Sequence, residues 1–383
     1  MRRTGGANVD FDLGADSRAI FEMARGFGAT HIAPFARAWE AAGTIPRDLW
    51  PKAAALGLGG LYVAEDMGGS GLSGLDGTLV FEGLAMACPS VASFLSIHNM
   101  AAAMVDRFGS AQARAAWVPR LCVMEAIGAY CLTEPGSGSD AAALRTRAVH
   151  DGNGWRLTGA KAFISGAGYA DLYVVMARSG GEGARGISAY LVQADAPGLS
   201  FGKAEDKMGW RAQPTRAVML DDCPAVLLGA EGEGFRYAMA GLDGGRLNIA
   251  AAALGGAQAA FDATLAYMGQ RRAFGQKLSD FQGLQFRLAE METRLQSARV
   301  FLRQAAWKLD QGAADATRHC AMAKLMVTDA AFEVANQCLQ LHGGYGYLAD
   351  YGIEKIVRDL RVHQILEGTN EVMRVIIARG LTA

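Results

Sequence analysis

YCLTEPGSGSDAAALRTRAVHDGNGWRLTGAKAFIS, residues 130–165, contains Gly-Ser-Gly-Ser-Asp-Ala, a formal match to the fingerprint of dinucleotide-binding units. That fingerprint needs a helix directly after its glycines, so that the helix N-terminus can meet a pyrophosphate. This chain instead continues into LRTRAVH and WRLTGAKAFIS, β-rich runs of period two, with the hairpin chemistry of DGNG at 151–154 between them. A nicotinamide fold is therefore rejected. DLYVVMAR, GISAYLVQ and TRAVMLD extend the β-rich pattern, so a β unit occupies about 128 to 225.

On both sides of this unit the period is helical. From about 15 to 127 apolar residues recur as Ile20, Met23, Phe27 and as Leu49, Ala53, Leu56, with Gly and Pro interruptions at 43–46, 57–60 and 67–74. After Gly234 three long segments, 235–270, 281–311 and 315–342, precede a Gly-rich corner, HGGYGY, and a final helix pair. Long helices joined by short corners argue for an antiparallel bundle. The expected organisation is a helical domain over 1–127, a β domain over 128–228 and a helical bundle over 229–383.

Bulk properties narrow the partners. At 383 residues the chain exceeds the usual size of one core. Its 37 basic residues are matched by 38 acidic ones, leaving no positive field for nucleic acid or anionic lipid. The six cysteines form no Cys-x-x-Cys pair, which fits a reduced interior. LNIAAAALGGAQAAF at 247–261 is too short to span a bilayer and reads as a buried helix, so no membrane insertion is expected. MRRTGGANVDFD lacks the apolar stretch of a signal peptide, and a cytoplasmic address is expected. None of the six histidines has a Glu three positions before it, which excludes a two-iron bundle; no metal is indicated, and His342 and His363 read as packed or exposed side chains.

Six stretches could carry chemistry. In RVHQILEGTNEVMR, 361–374, Glu367 sits where a helical pattern breaks, either as a solvated charge or as a base in a dry pocket. The loop after Tyr130 offers Thr133, Ser137 and Ser139 to a polar cofactor edge, or is an ordinary turn. KAFISGAG, 161–168, puts Phe163 and Ser165 on one strand face, with Gly166 and Gly168 leaving room for something flat, or is a core strand ending in a turn. In GLDGGRLNIA, 241–250, Asp243 reads as an N-cap, and Arg246, if drawn inside, needs an acidic partner such as Glu367. QRRAFGQKLSDFQ (270–282) defaults to a solvated corner, while LQLHGGYGY (339–347) leaves a tight corner against a ligand open.

Together and in this order, YCLTEPGSGSD, KAFISG, GGR before an apolar helix, RRAFGQ, LQLHGGYGY and ILEGTNEVMR resemble the acyl-CoA dehydrogenase family over nearly the whole chain. SIHNM (96–100) and QPTRAV (213–218) add a likeness to its isobutyryl-CoA branch. The resemblance implies a helical domain, a β-barrel or sandwich and a four-helix bundle. It also implies FAD as cofactor, an acyl-CoA thioester as substrate, and electron-transferring flavoprotein as electron acceptor. The assembly it implies is a homotetramer built as a dimer of dimers.

By the same resemblance Glu367 removes the α-proton of a short branched acyl-CoA, isobutyryl-CoA first, and flavin N5 accepts the β-hydride. Other short or 2-methyl-branched substrates, or oxygen as acceptor, are the alternatives. Tyr130, Leu132, Thr133 and Ser139 would line the flavin, and Phe163, Ile164 and Ser165 would cover its ring. Arg271, Phe274 and Gln282 would meet the adenine diphosphate half, with Gln340, Gly343 and Gly344 from a neighbouring subunit. Thr369, Asn370 and Glu371 would close that site, and Ser139, Asp243, Gly244, Gly245, Arg246 and Arg379 would touch substrate. Three departures from common relatives stand out: Phe163 in place of Trp, Ser165 in place of Thr, and Leu366 in place of Tyr. The DDCPAVLLGAEGEGF junction is also shorter than usual.

Overall fold

The computed structural model describes residues 13–382. Six helices come first: α1 (Ala15–His31), α2 (Ala36–Ala42), α3 (Leu49–Ala54), α4 (Gly74–Ala85), α5 (Pro89–Phe108) and α6 (Ala111–Cys122). Their starts reflect local chemistry. Ser73 Oγ accepts from the Asp76 N–H at 3.0 Å to cap α4, Ser110 does the same for α6 at 3.2 Å, and Pro89 opens α5.

Helix α5 is buried along most of its length, so its polar side chains serve the interior. Asn99 accepts from the Leu61 N–H at 2.7 Å and donates to the Leu58 carbonyl at 2.9 Å, sewing the loop before α4 to this helix. His98 Nδ1 accepts from the Gly128 N–H at 3.0 Å, while Nε2 donates to the Gly59 and Leu121 carbonyls. Burial pushes this imidazole down to about 4, so it is neutral and serves as a brace between α5 and the first strand.

Seven strands form the middle unit: β1 (Gly128–Cys131), β2 (Arg147–His150), β3 (Trp155–Ser165), β4 (Leu172–Arg178), β5 (Ile187–Gln193), β6 (Leu199–Phe201) and β7 (Thr215–Leu228). Strands β4, β2, β3, β7 and β5 pair in sequence and β5 returns to β4, closing a barrel to which β1 and β6 are added. The β2–β3 hairpin turns at DGNG, where Asp151 Oδ1 accepts from the Asn153 and Gly154 N–H groups at 2.8 and 2.9 Å.

The last unit holds α7 (Gly234–Gln270), a hairpin of β8 (Arg272–Ala273) and β9 (Gln276–Lys277), then α8 (Gln282–Asp310), α9 (Ala316–Leu341), α10 (Ile353–Arg361) and α11 (Asn370–Thr382). By length and composition α7 could cross a membrane, yet its apolar run from Leu247 to Ala257 is buried against α4, α5 and α9. Gly255 is what lets α4 come so close, because a Cβ there would overlap the Glu82 carbonyl. One expectation fails here. Asp243 is no N-cap, since α7 begins at Gly234 and Asp243 lies inside it.

Candidate active site

The base of α10 continues as one tight turn, Val362–Gln364, and then breaks before α11. At the break Glu367 has φ +53° and Gly368 φ +91°. A non-glycine residue in this region costs on the order of 1 kcal/mol and persists only where its surroundings over-determine it. Helix α9 supplies that constraint. Lys324 Nζ donates to the Gly368 carbonyl at 2.9 Å and to Asn370 Oδ1 at 2.8 Å. Asn370 Nδ2 and Gln364 Nε2 both donate to Asp329 Oδ1, at 2.7 and 2.6 Å, so both flanks of the break are tied to one helix.

From the other side His363 Nδ1 donates to the Ile249 carbonyl of α7 at 3.0 Å, and its Nε2 accepts from Trp210 Nε1 at 3.3 Å. Arg246 Nε donates to the Glu367 carbonyl oxygen at 3.3 Å. The acidic partner expected for Arg246 proves to be Asp243, at 2.7 Å, and not the Glu367 carboxylate. The spacing of three within α7 puts that pair on one face.

Glu367 as a whole is partly exposed, but its Oε2 is closed off from solvent and has no hydrogen-bond partner. Burial pushes the carboxyl up to about 7, while the charges of Arg246 and Lys324 pull it back. The space around it is set by two glycines of α7. A Cβ on Gly245 would overlap the carboxylate, whereas a Cβ on Gly244 would meet nothing within 4 Å. The Tyr130 hydroxyl is likewise buried without a partner, and burial together with the Glu367 charge pushes it up. Tyr62 stands near the same carboxylate, its hydroxyl donating to Asn248 at 2.6 Å. A carboxyl poised near neutrality beside open space, with a second orphaned polar atom close by, suits proton transfer to or from a bound molecule.

Strand β3 delivers the next group. The Ala162 N–H donates to the Thr133 carbonyl at 2.9 Å, which brings the loop after β1 against β3. The β3–β7 ladder is irregular between Lys161 and Ile164, and Phe163 there has φ +57° and is 69% exposed. Past the bulge Phe163 is exposed, Ile164 is buried and Ser165 is half-buried, an alternation compatible with Phe163 and Ser165 on one face. Gly166 and Gly168 follow the strand. Both have positive φ, and a Cβ on Gly166 would stand 3.3 Å from Phe94, so they shape a turn. Leu132 is buried and Ser139 exposed, while Ser137 Oγ donates to the Asp140 carbonyl within its own loop at 2.7 Å.

A separate cavity of about 560 Å³ lies at the bundle corner, lined by residues including Tyr267, Arg271, Gln340, Gly343 and Gly344. The Arg271 guanidinium lies 5.2 Å from the Tyr345 ring centre. Phe274, 97% exposed at the tip of the β8–β9 hairpin, and Gln282 at the start of α8 are not in this lining. Of the expected cofactor residues, Tyr130, Thr369, Asn370 and Glu371 lie near Glu367, whereas Arg271, Gln340, Gly343 and Gly344 line this corner. Thr369 Oγ1 accepts from the Val372 N–H at 3.3 Å, and Glu371 is exposed. Asn370 turns inward to α9, and Arg379 stands exposed on α11.

Sequence reasoning misses Lys324 and Tyr62. A lone lysine between the buried Cys320, Ala323 and Val327 of α9 is the available signal for the first. His342 and His363, expected to be packed or exposed, are both buried. No group of His, Cys, Asp or Glu fit to hold a metal ion occurs among the described residues.

The N-terminal, middle and C-terminal domains of acyl-CoA dehydrogenase match residues 14–125, 129–223 and 232–382, in that order. The chain belongs to the acyl-CoA dehydrogenase family. It is 50% identical over 372 residues to bovine mitochondrial isobutyryl-CoA dehydrogenase, covering 96% of this chain and 89% of that protein. Its fold matches butyryl-CoA dehydrogenase from Megasphaera elsdenii at a TM-score of 0.94 and 35% identity, over 98% of this chain and all of the other. The FAD-bound structure of PigA with proline matches at 0.94 and 29% identity, over 98% and 99%.

The chain is thus an FAD-dependent acyl-CoA dehydrogenase, an oxidoreductase with the family's helical, β and helical domains. The residues fit the cofactor. The outward Phe163 ring offers a stacking face, and the bond from the Ala162 N–H to the Thr133 carbonyl sets Thr133 beside the same stretch of β3.

Proposed function

We propose that this acyl-CoA dehydrogenase desaturates a short branched acyl-CoA, isobutyryl-CoA first, with Glu367 removing the proton α to the thioester. The observation that carries the reading is the Glu367 carboxyl, whose Oε2 is shut from solvent without a hydrogen-bond partner and which packs where Gly245 of α7 leaves room for it. A thioester α-proton is weakly acidic, so the base must hold a proton strongly once it takes it; burial of Glu367 supplies that affinity. Gly244 and Gly245 leave the approach free, and the left-handed turn at Glu367 and Gly368 aims the carboxylate into it. FAD, when bound, supplies the acceptor for the β-hydride. Leu366 in place of the Tyr of many relatives supports a compact, branched acyl group.

The bovine relative's name supports isobutyryl-CoA over straight-chain substrates. Phe163, Ser165, Thr133 and Thr369 would hold the flavin end. Arg271, Gln340, Gly343 and Gly344 line a different corner of the same chain. That separation favours a cofactor shared between copies, and with it the homotetramer. Electrons would pass on to electron-transferring flavoprotein, as the family likeness implies.

Anaerobic addition of isobutyryl-CoA to the FAD-loaded protein should bleach the flavin absorbance, and butyryl-CoA should do so more slowly. Equal or faster bleaching by butyryl-CoA would refute the branched preference, and unchanged absorbance with every short acyl-CoA would refute the activity.

A further inference from the structure

Lys324 lies on α9 with no exposed surface, and its ammonium donates to two neutral acceptors, the Gly368 carbonyl and Asn370 Oδ1. Burying an ammonium is costly unless something returns that free energy. A simple pin between α9 and the break would need only a neutral donor. Both acceptors, moreover, belong to residues within three positions of Glu367.

The charges around the site point the same way. Arg246 is the other cation close to Glu367, but it is paired with Asp243, whose second oxygen accepts from Thr317 at 2.7 Å. Arg246 pulls on the Glu367 carboxyl more strongly than Lys324 does, but it is shared with Asp243, whereas Lys324 is bonded only to neutral acceptors. Around Lys324 stand Glu367, Asp329 and Glu371 as acids and Arg246 as the cation, with His363 neutral because burial pushes it down to about 4. Asp329 already accepts from Gln364 and Asn370, and Glu371 is exposed. Among these acids only Glu367 has a buried oxygen with no partner.

We infer that Lys324 is a positioning residue for Glu367: it locks the turn that aims the carboxylate and supplies, beside Arg246, positive charge that lets this carboxylate exist as the base. The role deepens the proposed proton abstraction and rests on it only for the kinetic half of the test. Burial also pushes the Lys324 ammonium down to about 8, a cost consistent with a charge kept for use.

Lys324→Gln keeps a donor for the Gly368 carbonyl and removes the charge. The first readout needs no substrate: the infrared band of a protonated carboxyl in the FAD-loaded protein, assigned by its disappearance in Glu367→Gln. Its pH midpoint should rise by on the order of one unit in Lys324→Gln. The acid limb of kcat/KM for isobutyryl-CoA should move by the same amount, which lowers the rate below the old midpoint about tenfold. Lys324→Met, without any donor, should show the same displaced midpoint with a further fall in kcat, and it serves if the Gln variant does not fold. An unmoved or lowered midpoint in a folded variant would overturn the inference and leave Lys324 as a pin. Should the band move while no acyl-CoA is turned over, the substrate proposal fails and the Lys324 role stands.

Discussion

Two buried glutamates in this chain are driven in opposite directions. Glu134 accepts from Lys161 Nζ at 2.8 Å, from the Arg145 N–H at 2.6 Å and from the Thr146 N–H at 2.9 Å. Burial pushes its carboxyl up, but the Lys161 charge and these donors outweigh burial and hold it below the usual range. Glu367 is buried near two cations, yet neither donates to its carboxylate and its Oε2 has no partner at all, so burial prevails and it rises to about 7. Burial alone therefore does not decide what a carboxylate becomes; the donors aimed at it do. The first glutamate braces the loop after β1 against β3, and the second is left free for chemistry.

The largest expected effect exploits that difference. Glu367→Gln should cut turnover by about 10²- to 10⁴-fold, the usual worth of a general base, with the FAD-to-protein ratio unchanged. Glu134→Gln should do the reverse. Leaving Lys161 buried without its partner should lower unfolding free energy by about 3 kcal/mol in denaturant titrations, whereas any loss of turnover should follow loss of FAD from the slackened loop. If Glu134→Gln proved as stable as wild type and as inactive as Glu367→Gln, the division of roles would collapse.

Gly245→Ala comes next. The new methyl would overlap the Glu367 carboxylate, so the side chain must swing away. Misplacing a reacting group by about 1 Å costs about 10²-fold in rate, and kcat should fall by that order, with a small change in melting temperature. Gly244→Ala meets open space and should act on KM for the acyl-CoA instead. A Gly245→Ala enzyme with normal kcat would mean that the carboxylate works from another position.

The pH dependence of stability should also separate the two acids. Glu367 is raised from 4.5 to about 7, so the folded state holds its proton more tightly than the unfolded chain does. Stability should thus decline as pH climbs from 4.5 toward 7 and then level off, a loss of about 3 kcal/mol for this group alone. Glu134, displaced downward, contributes stability present above its unfolded value and lost as pH falls through its folded one. In Glu367→Gln the decline toward neutrality should vanish, so the variant gains on wild type between pH 5 and 7 in thermal melts. A constant difference across that range would show that the carboxyl is not raised.

These contrasts also mark what the residues alone disclose. Strands β4 and β5 are legible as short apolar runs buried on both faces, and the β2–β3 turn because Asp151 beside Gly152 has little else to do. Glu367 is legible as a carboxylate at a helix break, but whether it is wet or dry depends on α7 and α9, helices remote in sequence. The bulge at Phe163 is hidden because an outward ring and an alternating ring occupy the same place in the pattern. Asp243 resembles a cap because two glycines behind it look like a helix start; in the fold, Gly245 is there to make room for Glu367. Lys324 carries no motif, since a buried cation is defined by what surrounds it.

The smallest effect concerns a third carboxylate. Glu371, in the first turn of α11, is held below the usual range by its own backbone N–H and then by the Thr369 hydroxyl, as Glu134 is held by donors, but it is exposed. Water screens it, so its charge should scarcely reach Glu367 across the intervening turn. Glu371→Gln should leave the acid limb of kcat/KM in place and the melting temperature of the FAD-loaded protein nearly unchanged. Its only visible consequence should be a modest loss in FAD retention on gel filtration, if Glu371 closes the cofactor site as the family likeness implies. A displaced acid limb in this variant would mean that exposed charge tunes the base as buried charge does, and the contrast drawn from Glu134 and Glu367 would then have to be rebuilt around distance instead of partners.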